Sequence, residues 1–199
     1  MNLLTGFPPE TVCIQDEDYP INTDFRVSVE FENLMMRPEI SAYEKISRAL
    51  FLYFPRIPKD LDAAIDSILS FYRCGKPKKK QGKGSSGQSS RAYSFEYDDQ
   101  YIYAAFMQQY GIDLTIENMH WWKFRALFNS LSPETLFVKI MGWRTAKIDS
   151  KMPVSEKKRI QELKKIYALP RIVNEDERLS EIEKTLMGNG KLDSLIKKE

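Results

Sequence analysis

Residues 93–114 read YSFEYDDQYIYAAFMQQYGIDL, and two further aromatic clusters follow, HWWKFRALF at 120–128 and KIMGWR at 139–144. All three tryptophans and the only histidine of the chain lie in this region. Its reading turns on 98–110. At about 100° per residue, Tyr101, Ile102, Tyr103, Ala104, Ala105, Phe106, Met107 and Tyr110 go round the whole cylinder, which predicts a helix that is central or sits in an interface. Gly111 ends it. Asp98 and Asp99 stand at its start, where unsatisfied amides and the helix dipole favour negative charge; that capping role competes with paired carboxylates for acid–base or metal chemistry. No catalytic motif crosses the region, so its rings mark a core or a contact surface.

Helix signals continue on both sides. Ile40, Tyr43, Ile46, Leu50, Tyr53 and Phe54 share a face, and Pro55 and Pro58 end that element. Leu61, Ala64, Ile65, Ile68, Leu69 and Tyr72 form a second stripe, with Gly75 placed to close it in the left-handed conformation. A shorter first helix is predicted over 24–36, capped by Thr23 or Asp24, with Val27, Phe31, Leu34 and Met35 inward; the alternation of Phe25, Val27, Val29 and Phe31 is the rival strand reading. Beyond Gly111, helices are predicted over 115–131, over 133–144 with Ser132 as N-cap and Pro133 at the first helical position, and over 155–169. The last carries only the narrow stripe Ile160, Leu163, Ile166 and Tyr167. A final helix over 175–187 repeats that pattern with Leu179, Ile182 and Leu186. It is either a docking element for a partner or a peripheral helix leaning on its own domain.

These elements predict an all-α protein of about seven to eight helices, organised as a helical domain over 1–170 followed by a peripheral helix and tail over 171–199. One segment interrupts it. Residues 75–90, GKPKKKQGKGSSGQSS, carry five Gly or Pro, four Ser and nothing apolar, so the segment cannot offset its ordering entropy and reads as a flexible loop to about residue 91. Its basic side chains are Lys76, Lys78, Lys79, Lys80 and Lys83.

A chain of 199 residues with 42% hydrophobic and 29% charged residues is ordinary for a soluble globular protein and buries about 70% of its unfolded surface. No apolar run approaches the roughly 18 residues that span a bilayer. The first twenty residues carry Glu10, Asp16, Glu17 and Asp18 without Lys or Arg, a poor start for a secretory signal. The net charge of +2 hides an asymmetry: Arg73 to Arg91 supplies seven basic residues and no acid. Removing these seven from 30 leaves 23 basic against 28 acidic residues, a net of −5 for the remainder. That distribution disfavours a broad nucleic-acid-binding face. A basic loop beside stacking rings keeps single-stranded nucleic acid as a distant reading.

The chemistry-bearing residues are few. His120 falls in the apolar arc of its predicted helix and reads as a hydrogen-bonded core histidine; one histidine also excludes most metal sites that need two imidazoles. Cys13 and Cys74 have no metal-ligand spacing and read as unpaired thiols. Arg73 and Lys76 beside Cys74 would lower a thiol pKa, yet no base accompanies it, so the inert reading stands. No cofactor and no catalysis are expected. Trp122 is the exception among the rings. On the helical wheel it points away from the arc that holds Trp121, towards Asn118, Arg125 and Asn129. Either a second layer covers it, from the helix at 101–110 or that at 133–144, or it is exposed beside Arg125 as a contact site for a partner.

The segments 93–114, 120–125 and 139–144, together with DYPINTDFR at 18–26 and FYRCGK at 71–76, resemble the gene-product-fifteen family of tailed phages and prophages of Gram-positive bacteria, over roughly residues 10–170. The resemblance implies a tail-module protein of the host cytoplasm that acts as a tail assembly chaperone. Its partners would be the tape-measure protein, the major tail protein or both, with self-association possible in principle. The alternative it leaves open is a minor tail or connector protein retained in the virion. The family pattern carries no catalytic residue to transfer.

Overall fold

A computed structural model describes residues 3–77 and 91–170. Most of the basic loop, with Lys78, Lys79, Lys80 and Lys83, lies outside the described residues, as does the C-terminal segment with Leu179, Ile182 and Leu186. Among the described residues the chain forms the seven helices and one hairpin β1 (Thr11–Ile14), β2 (Glu17–Pro20), α1 (Phe25–Met36), α2 (Ala42–Tyr53), α3 (Leu61–Tyr72), α4 (Asp99–Tyr110), α5 (Trp121–Asn129), α6 (Leu136–Thr145) and α7 (Val154–Ile166). It is a mostly helical protein. None of the described helices is long and apolar enough to cross a membrane. The chain divides into two compact units, the first holding the described residues 3–77 and 118–126, the second 91–117 and 127–170. Helix α5 belongs to the first unit through Ala126 and to the second from Leu127.

In the first unit α1 packs on α2, α2 on α3, and α3 on β1. Each helix starts on a side-chain cap: Asp24 accepts from the Arg26 N–H, Ser41 from Glu44 and Asp60 from Ala63, satisfying amides that lack an intrahelical acceptor. The core gathers Phe31, Ala49, Tyr53, Ala64, Ile65 and Ile68, all fully enclosed. Two polar groups are buried among them with partners. The Ser28 hydroxyl lies 2.8 Å from that of Tyr53, and the Tyr72 hydroxyl donates to the Glu32 carboxylate. Helix α1 resolves the helix-or-strand ambiguity because Phe25, Ser28, Phe31, Glu32 and Met35 form one buried stripe, a helical period.

The hairpin is absent from the sequence reading. Gln15 and Asp16 sit at φ 51° and 60°, the left-handed pair that a two-residue hairpin turn requires, but neither is the glycine that would have advertised it. Strand pairing matches Cys13 with Asp18 and Ile14 with Glu17, and Ile14 and Tyr19 carry the buried side.

Helix α3 closes one residue earlier than Gly75 suggests. The Cys74 N–H bonds to the Phe71 carbonyl at 2.8 Å and the Gly75 N–H to that of Ser70 at 2.9 Å, so Cys74, at φ 56°, is the first left-handed residue and Gly75, at φ 70°, the second. A Cβ on Gly75 would stand 3.2 Å from Trp122 Cη2, whereas one on Gly111 (φ 65°) would meet nothing within 4 Å. Gly75→Ala is therefore expected to destabilise more than Gly111→Ala: backbone strain of about 1–2 kcal/mol acts at both sites, and crowding adds to it only at Gly75. Urea denaturation of the two variants measures the difference.

In the second unit α6 packs on α4 and on α7, and Tyr93, Phe95, Phe128 and Phe137 form a ring cluster with centroids 5.0–6.3 Å apart. Helix α4 is not buried all round. It buries Ile102, Ala105 and Phe106, with α6 packed against it, and leaves Ala104, Met107 and Gln108 exposed. The predicted helix over 133–144 begins later. Ser132 to Thr135 forms a turn closed by Thr135 N–H to Ser132 O at 3.0 Å, and Thr135 then caps α6 by accepting from Val138. Along α7, Ile160, Leu163 and Tyr167 are half-buried while Ile166 is exposed.

Candidate functional site

A groove of about 520 Å³ opens on the first unit between α1 and α2. Its floor is Phe25, Val29, Leu34, Phe51 and Leu52. Its rim carries Arg26, Glu30, Arg37 and Arg48. Phe51, at the i+1 position after Leu50 of the buried stripe, is 70% exposed, unusual for a phenylalanine in the middle of a helix. Arg26 pairs with Asp24 at 3.0 Å and Arg48 with Glu44 at 2.5 Å. Both pairs are solvent-accessible and so exchangeable at little cost. Phe51 lies outside the Ile46, Leu50 and Tyr53 stripe and is not among the residues that periodicity singles out; an apolar ring outside a helix's buried arc is the signal the sequence offers.

The two adjacent tryptophans are both covered. Trp121 is fully buried and its indole N–H donates to the Tyr72 carbonyl at 2.9 Å. Trp122 is 8% exposed and its indole N–H donates to the Phe71 carbonyl at 2.9 Å. Successive indoles thus satisfy successive carbonyls at the C-terminal end of α3, where acceptors outrun intrahelical donors. Within the first unit the cover over Trp122 comes from Phe71, His120 and Gly75. The exposed alternative for Trp122 is therefore not the arrangement in this fold, and its ring would have to leave this pocket to touch a partner. Arg125 is half-buried with its guanidinium 5.3 Å from the Trp121 ring centroid.

His120 precedes α5 instead of lying in it. Residues 119–121 run alongside Thr23 to Phe25: the Trp121 N–H donates to Thr23 O at 2.7 Å and the Phe25 N–H to Met119 O at 2.9 Å, giving an antiparallel bridge between Asp24 and His120. Those backbone groups are unavailable to a helix from 115, which is why α5 starts at Trp121. Upstream, the Asp113 carboxylate holds Thr115 in a turn. The imidazole Nδ1 accepts from the Trp122 N–H at 3.0 Å, and Nε2 lies 3.1 Å from Pro9 O. That pairing requires a neutral ring with its proton on Nε2. Burial, only partly opposed by the Pro9 carbonyl, holds the His120 pKa below its ordinary 6.5. The unfolded chain takes up this proton first as pH falls. The His120 contribution to stability is thus present above pH 6.5 and lost as pH drops from there through the lowered folded-state value. Since the chain has one histidine, a single imidazole resonance titrating by NMR, beside denaturation midpoints at pH 7.5 and 5, checks both the direction and the assignment.

Both cysteines are free thiols. Burial pushes the Cys74 thiol up, outweighing Arg125 and Lys76, the reverse of an activated nucleophile. Lys76 is exposed at the start of the basic segment, and Arg91, at its other end, is buried. In the second unit Asp98 does not cap α4 with its side chain. It is fully buried and held by both terminal nitrogens of Arg144 at 2.6 and 2.7 Å and by the Ser94 N–H at 2.9 Å. This is a structural ion pair. Among the described residues no group of three or more His, Cys, Asp or Glu is placed to hold a metal ion.

The model of the family described as Bacteriophage Gp15 protein matches residues 7–169, most of the chain and parts of both units. The chain belongs to the bacteriophage Gp15 family. No curated protein and no solved structure matches it. The family match stops before the C-terminal segment. Within it lie the groove, the paired indoles and the Asp98–Arg144 pair, so these features belong to the part of the chain that the Gp15 family describes.

Proposed function

We propose that this phage protein is a non-enzymatic tail assembly chaperone that covers the tape-measure protein during tail morphogenesis. The observation that carries the reading is the apolar groove between α1 and α2 with Phe51 exposed in its wall, on a member of a phage family. A tape measure exposes long apolar helical faces until the tail tube encloses it. An open groove between two helices is the surface on which such a face can lie reversibly. The side chains that would serve other chemistries are engaged elsewhere. His120 uses both ring nitrogens to hold backbone, and Tyr93 and Phe95, the first rings after the basic loop, are buried in the second unit's core, which weighs against a stacking platform for single-stranded nucleic acid.

Co-expression with the tape-measure protein tests this. The expected result is soluble tape measure recovered with the chain, loss of that recovery with Phe51→Glu at an unchanged melting temperature, and absence of the chain from purified particles. Tape measure that stays equally soluble without the chain, with the chain present in particles, would replace the chaperone by a minor tail or connector protein of the virion.

A further inference from the structure

The β1–β2 hairpin has one closed edge and one open edge. Its register pairs Thr11 with Pro20, Val12 with Tyr19, Cys13 with Asp18 and Ile14 with Glu17, and the Ile21 N–H donates to Glu10 O at 3.0 Å. Antiparallel pairs alternate between exchanging their bonds and turning them outward. Glu10, Val12 and Ile14 therefore bond inward, and Thr11 and Cys13 point their N–H and C=O groups away from β2. On the β2 edge Pro20 has no N–H, and the Asn22 N–H is taken by Tyr53 O at 2.7 Å. On the β1 edge the outward groups of Thr11 and Cys13 make no hydrogen bond among the described residues. Both of these side chains are exposed, while Ile14 and Tyr19 carry the buried face. The devices that usually blunt such an edge are missing, since TVCI holds no charge, no proline and no bulge. The strand is also pinned at both ends, where His120 Nε2 lies 3.1 Å from Pro9 O and Gln15 Nε2 donates to Asp60 at 2.7 Å.

The occupant that this edge fits is its own copy. Antiparallel pairing about a two-fold axis must set outward residues opposite outward residues, which leaves three registers. Centred on Thr11, the pairing puts Cys13 opposite the partner's Pro9, which has no N–H to give. Centred on Cys13, it puts Thr11 opposite the partner's Gln15, which the turn holds at φ 51°. Centred on Val12, it sets Thr11 opposite the partner's Cys13, where the two exchange both bonds, and the symmetry repeats the exchange. Val12, half-buried, then meets the partner's Val12 at the axis, a β-branched pair suited to a sheet face. Glu10 faces the partner's Ile14, so no like charges stand opposite each other. A second copy thus satisfies every open backbone group of the edge without a charge to neutralise.

We propose that two copies of the chain pair through their β1 edges, antiparallel and in the Val12-centred register, into one continuous sheet ordered β2–β1–β1–β2. The interface is small and mostly backbone, so the dimer forms reversibly as concentration rises. It is separate from the α1–α2 groove and does not depend on what the groove binds.

The test uses the isolated full-length chain. Sedimentation over a concentration series is expected to show monomer–dimer exchange. Cys13→Pro removes a donor that the hairpin does not use, and by symmetry removes it from both copies. It is expected to weaken association about tenfold or more with a melting temperature close to the parent's. Phe51→Glu is expected to leave the dimer intact. Cross-linking reads the register without a proline. In Val12→Cys with Cys13→Ser the two engineered positions face each other at about 4.5 Å between Cα atoms, within disulfide reach. Mild oxidation is expected to join most dimers through residue 12, as mapped by mass spectrometry. The native Cys13 thiols lie diagonally, about 7–8 Å apart, and the parent chain is expected to give a several-fold lower yield. A chain that stays monomeric at every concentration would overturn the proposal. So would a parent that cross-links through Cys13 as readily as the variant does through residue 12, or a dimer that Phe51→Glu abolishes and Cys13→Pro spares, which would make the groove the interface.

Discussion

Arg144→Met is expected to destabilise the protein by about 3–5 kcal/mol, the usual cost of leaving a buried charge without its partner. Arg144 is 6% exposed and Asp98 fully enclosed. The guanidinium also donates to Tyr167 O at 2.6 Å and Ala92 O at 3.1 Å, so one side chain ties the α4 start, the end of α6 and the residue that caps α7. Methionine keeps much of the volume and removes all of these bonds. The charge itself is tested by a double-mutant cycle: Asp98→Leu with Arg144→Met removes both ions and is expected to cost less than the sum of the single changes, with a coupling of about 1–3 kcal/mol. Urea denaturation of the four proteins gives the cycle. A cost under about 1 kcal/mol for Arg144→Met would mean that water reaches Asp98.

Trp122→Ala is expected to cost about 3–5 kcal/mol as well, for a different reason: it empties a pocket built by Phe71, His120 and Gly75, and a truncated core ring leaves a void that its neighbours fill only in part. Trp122→Phe separates the indole hydrogen bond from the volume. The Phe71 carbonyl keeps the Cys74 N–H at 2.8 Å, so it is not orphaned, and the loss of the indole donor is expected to contribute about 1 kcal/mol. Thermal or urea melts of both variants, with partner capture measured alongside, decide the role. A variant Trp122→Ala that melts like the parent but no longer captures a partner would make the ring a surface anchor, against its 8% exposure.

The cores of α1, α2 and α3 were legible because their information is local. Ile46, Leu50 and Tyr53, or Ala64, Ile65, Ile68 and Leu69, repeat at helical spacing and are the residues found buried. The caps Asp24, Ser41 and Asp60 act within three residues. The family resemblance was legible too, since the matched region spans residues 7–169. What was misread lay where a distant segment competes for the same backbone or side chain. A helix from 115 fails because Thr23 and Phe25 claim the backbone of residues 119–121. Asp98 carries an acid's usual signature at a helix start, but Arg144, 46 residues away, takes it inside. The groove was not legible either: Phe51 lies outside the buried stripe of α2, and only the packing of α1 brings Phe25 and Val29 to the same groove.

Hydrophobic period, capping chemistry and composition act within a few residues, so the mostly helical fold, the capped starts of α1, α2 and α3 and the basic segment without apolar anchors are properties of the sequence alone. Which rings are covered, that two neighbouring indoles both end on carbonyls of α3, and where an apolar groove stays open are set by tertiary packing. Those outcomes depend on which surfaces meet across tens of residues, and burial is a property of the meeting, not of either strand of sequence alone.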